Sequence, residues 1–233
     1  MKLISGVALA ALLLASASSA SATIATITYT GVVDATNNDN SLGLFGGGNL
    51  GDDPFKLVVM VDTAKGIASS GCVLGQCTNS LVGGSFFSLR GPVTASLTIN
   101  GSTFDFGAGY ESSINNQTDA GADSLSSQLD YIQNGLALYQ INAGVGAHDD
   151  ATIPLSFTTP YSVAVDGVNV FGLSNYSISD GLGGVSSGQL DATRVTLTTG
   201  VPEPATWAMM LVGFGGLGAV LRGSRRRSNV AAA

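Results

Sequence analysis

The chain has 233 residues, a formal net charge of −7, 45% hydrophobic and only 11% charged residues. That composition excludes a disordered polyelectrolyte, and the acidic balance argues against a nucleic-acid partner. With 2 cysteines and 1 histidine, the chain also lacks the material for a cysteine-histidine zinc centre.

Met1-Lys2, an apolar run from Leu3 to Leu14 and small residues up to Ala22 have the order of a secretory signal peptide. The Ala20-Ser21-Ala22 triplet predicts cleavage after Ala22, so residues 1–22 are expected to be removed. The Sec machinery and signal peptidase are the partners this implies. Residues 23–200 then form a cargo long enough for one domain with its own core. The termini carry five of the basic residues, so the cargo holds four basic and fifteen acidic residues, a net of −11.

Strand signals dominate the cargo. Ile27, Tyr29 and Val33 alternate with Thr26, Thr28 and Thr30, which predicts a strand with one apolar face. Phe55, Leu57, Val59 and Val61 repeat that period, and Val58 and Met60 predict a second strand covered on both faces. Between them, the Asp34–Pro54 loop is rich in oxygen donors. Asp34, Asn38, Asp39, Asp52 and Asp53 are candidate ligands for calcium, the one cofactor considered; the same residues also suit a plain Asx-rich loop.

Cys72 and Cys77 form an even, closely spaced pair, which in an exported chain predicts a disulfide around a small loop. Asn100-Gly101, Asn134-Gly135 and Asp166-Gly167 each predict a two-residue hairpin. The first pairs Leu97 with Phe104 and Ala95 with Phe106; the second sets Tyr131 opposite Leu138; the third sets Val163 opposite Val170. Further strands are expected at Thr152–Phe157, Asn175–Ser179 and Thr193–Thr199. Residues 111–128 read as loop or one short helix, and Ser179–Gln189 reads as a glycine-rich loop. Roughly nine or ten short strands imply an all-β antiparallel sandwich, jelly-roll-like.

Chemistry-bearing patterns are sparse. His148 is the sole histidine and no Gly-x-Ser-x-Gly elbow accompanies the serines, so a hydrolytic triad is not expected. A glycosidase needs two carboxylates, yet Glu111 is the cargo's only glutamate and the aspartates favour turns. No catalytic residue is assigned, and the cargo is expected to be non-enzymatic. A carbohydrate-binding module is the alternative, a secreted hydrolase the second. Sugars stack on aromatics, and Tyr110, Tyr161 and Tyr176 are the candidates for exposure.

The last stretch is the most specific. Pro202-Glu203-Pro204 enforces an extended stem. Ala205–Leu221 is an apolar run of 17 residues, roughly 25 Å as a helix, against a hydrocarbon core of about 30 Å. Trp207-Ala208 lie at its start, and Arg222, Arg225, Arg226 and Arg227 close it with a cytoplasmic charge cluster. Residues 201–227, in that order and spacing, resemble the PEP-CTERM sorting signal of exported proteins of Gram-negative bacteria, in its PEPxxWA form; residues 228–233 are a tail beyond it. The resemblance implies processing by an exosortase, a transient inner-membrane anchor before processing, and delivery to the cell surface or beyond. It also implies association with exopolysaccharide and biofilm.

Overall fold

Alternating burial governs the backbone from its first strand. In β1 (Ile24–Asn40) the side chains of Ala25, Ile27, Tyr29 and Val33 are fully buried, while the threonines between them face outward. This is the period-two pattern that a half-buried strand requires. The computed structural model describes residues 24–84, 91–106, 111–119, 122–133, 136–148 and 153–200, together with Phe214. Among the described residues the remaining strands are β2 (Pro54–Asp62), β3 (Ile67–Val73), β4 (Gln76–Gly83), β5 (Val93–Ile99), β6 (Ser102–Phe106), β7 (Glu111–Asp119), β8 (Ala122–Gln133), β9 (Leu136–Ala147), β10 (Tyr161–Ala164), β11 (Val170–Ser179) and β12 (Val185–Gly200). The described part of residues 24–200 is all-β, and every pair of these strands is antiparallel.

In place of the expected sandwich with jelly-roll crossings, the strands share one hydrogen-bonded sheet. Its order is β3-β4-β7-β8-β9-β11-β12-β1-β2-β5-β6, with β10 also on β12. The sheet curls into a half-barrel: β5, near one edge, comes against β7 and β8, near the other. Val93 N–H donates to Ser112 Oγ at 3.2 Å across this closure. Sheet twist and irregular register supply the curvature. Register shifts occur in the β1–β12 pair at Thr30/Gly31 and Val33/Asn38, and in β8–β9 at Tyr131/Ile132. The concave face carries the core, with Ile27, Leu57, Leu97, Ile114, Leu125, Leu129, Ile141 and Leu197 all essentially inaccessible.

The Asn100-Gly101 hairpin forms as expected. Both residues have positive φ, 50° and 83°, and Leu97 pairs with Phe104 and Ala95 with Phe106. Other expectations are corrected. β2 is covered on one face only, since Met60 is 45% exposed. Residues 111–119 and 122–128 are strand, not helix or loop. The bulge in β8–β9 displaces Leu138, so Tyr131 pairs with Tyr139; Asn134-Gly135 themselves lie outside the described residues.

The expected strand at Thr152–Phe157 is also absent: Thr152 lies outside the described residues, and Ile153–Phe157 form no ladder. Pro154 lacks a donor, and the carbonyls of Pro154 and Leu155 accept side-chain amides from Asn116 and Asn79. Those two asparagines are cross-strand neighbours on β4 and β7, and Ile153 is buried beside the core cluster.

Asp166-Gly167 is not a hairpin. β10 pairs with Arg194–Leu197 of β12, and β11 pairs with Val185–Leu190 of the same strand in the same sense. Residues 165–169 are therefore a loop bulged out between two collinear segments that follow β12. The Asp166 carboxylate organises that loop. Its Oδ1 accepts the N–H groups of Val170 at 2.9 Å, Val168 at 2.9 Å and Asn169 at 2.8 Å. These bonds hold its carboxyl down at about 2 from the usual 3.8. Because the folded value is depressed, this stabilisation is present above pH 3.8 and lost as pH falls through 2. Asp166→Ala should therefore flatten the decline of the unfolding midpoint between those pH values, read by circular dichroism at fixed salt. A decline as steep as in the parent chain would refute the assignment.

Candidate functional site

β7, β8, β9 and β11 lie side by side, and their outward side chains form rows across the sheet. Register places Ser113 opposite Gln128, Gln128 opposite Asn142, and Asn142 opposite Asn175. The result is a hydroxyl-and-amide row at right angles to the strands, in which Asn142 Nδ2 donates to Asn175 Oδ1 at 3.1 Å. The next rows hold small residues: Ser126 opposite Gly144, and Ser124 opposite Gly146. Beyond them Phe171 pairs with Gly146 and lays the far end of its ring over that glycine. A Cβ at Gly146 would stand 2.4 Å from the ring's Cζ, so only glycine leaves room for this placement.

Low floor and higher walls enclose a cavity of about 250 Å³ between the amide row and Phe171. The exposed His148 ring, 5.1 Å from that of Phe171, extends the aromatic wall. A second cavity of about 240 Å³ lies on the other side of the row, lined by Val82, Ser112 and Asp130. Both cavities are bounded by Ser113 and Gln128, so they adjoin. Gln128 Nε2 donates to Asp130 Oδ2, and the buried Asp130 Oδ1 has no hydrogen-bond partner.

The candidate loop ligands are placed differently from one another. Asp34 Oδ1 accepts from the N–H groups of Thr36 and Asn37, both at 2.7 Å, and from the Thr36 hydroxyl, which keeps its carboxyl below the usual range. Asn38 donates to Asp34 O and accepts from Leu50 N–H, while Asp39 Oδ1 accepts from Ser41 N–H. Asp52 sits in the left-handed region at φ 65°, and Asp53 N–H donates to Leu50 O. Much of the oxygen chemistry of this stretch is thus spent on its own backbone. Part of it is strand, since Asn38–Asn40 pair with Ser186–Gly188. Among the described residues, no three His, Cys, Asp or Glu side chains converge.

Of the three candidate tyrosines, Tyr110 lies outside the described residues. Tyr176 is a core residue, 2% exposed, its ring edge-on to Phe45 at 5.6 Å. Burial, with the Asp39 carboxylate adding to it, pushes its phenol up to about 12. Tyr161 is half-buried and its hydroxyl is enclosed, which raises its phenol well above the ordinary value. Neither Tyr161 nor Tyr176 supplies an exposed ring. The rings beside the cavity are those of the half-buried Phe171 and the exposed His148. The signal available for Phe171 was its place opposite the small outward residues of Ala143-Gly144-Val145-Gly146.

Cys72 and Cys77 are disulfide-bonded across the β3–β4 hairpin, one pair behind its Leu74-Gly75 turn. The sorting residues Pro202, Glu203, Pro204, Trp207, Ala208, Arg222, Arg225, Arg226 and Arg227 lie outside the described residues, as do 1–23.

Residues 200–227 match the PEP-CTERM protein-sorting motif family. No curated protein and no solved structure matches the chain. The chain therefore carries a PEP-CTERM motif at its C-terminal end, which implies an exported protein with a membrane-anchored sorting signal.

Proposed function

We propose that the chain is an exosortase substrate whose cargo, residues 23–200, acts outside the cell as a non-enzymatic surface or extracellular-matrix component. The observation that carries this reading is the PEP-CTERM match at residues 200–227. Its parts make physical sense as an address. The proline pair keeps the stem extended for a protease, the apolar run holds it at the bilayer, and the arginines fix the cytoplasmic end.

The cargo's chemistry supports a binding or structural role over turnover. Asp34, Asp166 and Asp180 each accept N–H groups from their own turns, and Asp62 pairs with Lys65 at 2.8 Å, so these carboxylates already serve local structure. The disulfide suits an oxidising compartment.

The test is mass spectrometry of protein recovered from cells and from their medium. The parent chain should appear outside the inner membrane with a new C-terminus near Pro202-Glu203-Pro204 and an N-terminus near Thr23. A chain with Pro202→Ala and Pro204→Ala should remain full-length at its C-terminus and stay in the membrane fraction. Release of that variant at the parent level would overturn the reading. Turnover of a glycan or ester substrate, abolished by one point substitution, would overturn its non-enzymatic part.

A further inference from the structure

We infer that the paired cavities on the outward face of β7, β8, β9 and β11 form one extended groove that binds a linear, uncharged polyhydroxylated chain, a neutral oligosaccharide in chemical class. The inference deepens the proposed extracellular role and rests on it for the polymer's presence.

Four observations bear on the ligand. First, the groove is elongated. Two cavities of about 250 and 240 Å³ adjoin at Ser113 and Gln128, which suits a chain better than a single compact molecule. Second, its polar groups are of mixed sense. Serine hydroxyls and the amides of Gln128 and Asn142 both donate and accept, as a row of sugar hydroxyls needs. Third, the one carboxylate among the described lining residues is Asp130, whose Oδ2 accepts from Gln128 Nε2, and a carboxylate repels an anion. Among the described residues no cationic side chain lines either cavity, and the cargo's net charge is −11, so polyanions are disfavoured.

Fourth, an apolar wall stands beside the polar row. The Phe171 ring, backed by Gly146 and flanked by His148, offers aromatic carbon against which the C–H face of a sugar ring packs. Small floor residues keep that wall accessible from the amide row. Aromatic carbon next to mixed hydrogen-bonding groups is the usual composition of a site that orients a small polar ligand.

Affinity electrophoresis of the full chain in detergent micelles tests this. The gels would contain dextran, mannan or hydroxyethylcellulose as neutral probes and alginate as the polyanionic control. At least one neutral polymer should retard the chain, alginate should not, and Phe171→Ala should weaken the retardation at least tenfold. Ser126→Glu, an exposed floor substitution that leaves the core untouched, should do the same by adding charge and bulk. Asn175→Ala, in the amide row but outside the cavity lining, should weaken it less. Absence of retardation in all three neutral polymers would overturn the proposal, as would equal retardation of parent, Phe171→Ala and Ser126→Glu chains. The assay does not depend on export, so a failure here is separate from a failure of the Pro202/Pro204 experiment.

Discussion

Gly31→Ala should destabilise the chain by about 3 kcal/mol or more, well beyond an ordinary glycine substitution. Gly31 lies at a register shift between β1 and β12. Thr30 pairs with Arg194 and Gly31 with Ala192, so Thr193 is the extra residue of a bulge at this point. An added Cβ would stand 1.9 Å from the Asp191 carbonyl oxygen and 2.9 Å from the Ala192 Cα. Both are backbone atoms, so no rotamer change relieves the overlap. Asp191 is held by its pairing with Val32, and Thr193 Oγ1 donates to Thr30 O at 3.1 Å, which ties the bulge down. The two central strands must separate or the register must slip, and a slip of one residue turns Ile27 and Tyr29 out of the core.

Gly71→Ala is the matched control, because its added Cβ meets nothing within 4 Å and its φ is not positive. Loss of unfolded-state freedom makes that change neutral or stabilising by roughly 0.5 kcal/mol. Urea unfolding read at constant slope separates the two. A Gly31→Ala chain within about 0.5 kcal/mol of the parent would show that the β1–β12 bulge is placed wrongly.

How much of this architecture is legible in the sequence depends on where apolar residues alternate. β1 and β2 are clear because Ile27, Tyr29, Leu57 and Val59 repeat with period two, and Asn100-Gly101 fixes one register by its own turn chemistry. β7 and β8 are not, because their core-facing positions include Ser112, Asn116, Asp123 and Ser127. Their strand character comes from pairing with neighbours on both sides, a tertiary effect that local preference does not contain.

The groove was hidden for the same reason. Its rows exist only once Ser113, Gln128, Asn142 and Asn175 are aligned across four strands. Tyr176 was misplaced although Ile178, two residues on, marks the same inward face; the partner that makes room for its ring, Gly188, lies on another strand. Asp166-Gly167 carries a hairpin signal, yet the long β12 offers enough edge for the segments on both sides of it.

The two faces of β2 give a second large and opposite pair of expectations. Leu57 is fully buried, opposite Tyr29 on β1 and Leu97 on β5, so Leu57→Ala should cost about 3 kcal/mol, within the 2–5 range for a lost core leucine. Met60, three residues along, points to the other face and is 45% exposed, so Met60→Ala should change stability by no more than about 0.5 kcal/mol. The contrast is diagnostic because the apolar run from Phe55 to Val61 reads equally well as a strand buried on both sides. If a second layer covered the outer face of β2, the Met60 change would also cost about 2 kcal/mol or more. Leu97→Ala adds an internal check. Leu57 and Leu97 face each other across β2 and β5, so the double substitution opens one shared cavity and its cost should depart from the sum of the single ones. Leu57 and Met60 share no partner in the core, and their costs should add within about 0.5 kcal/mol.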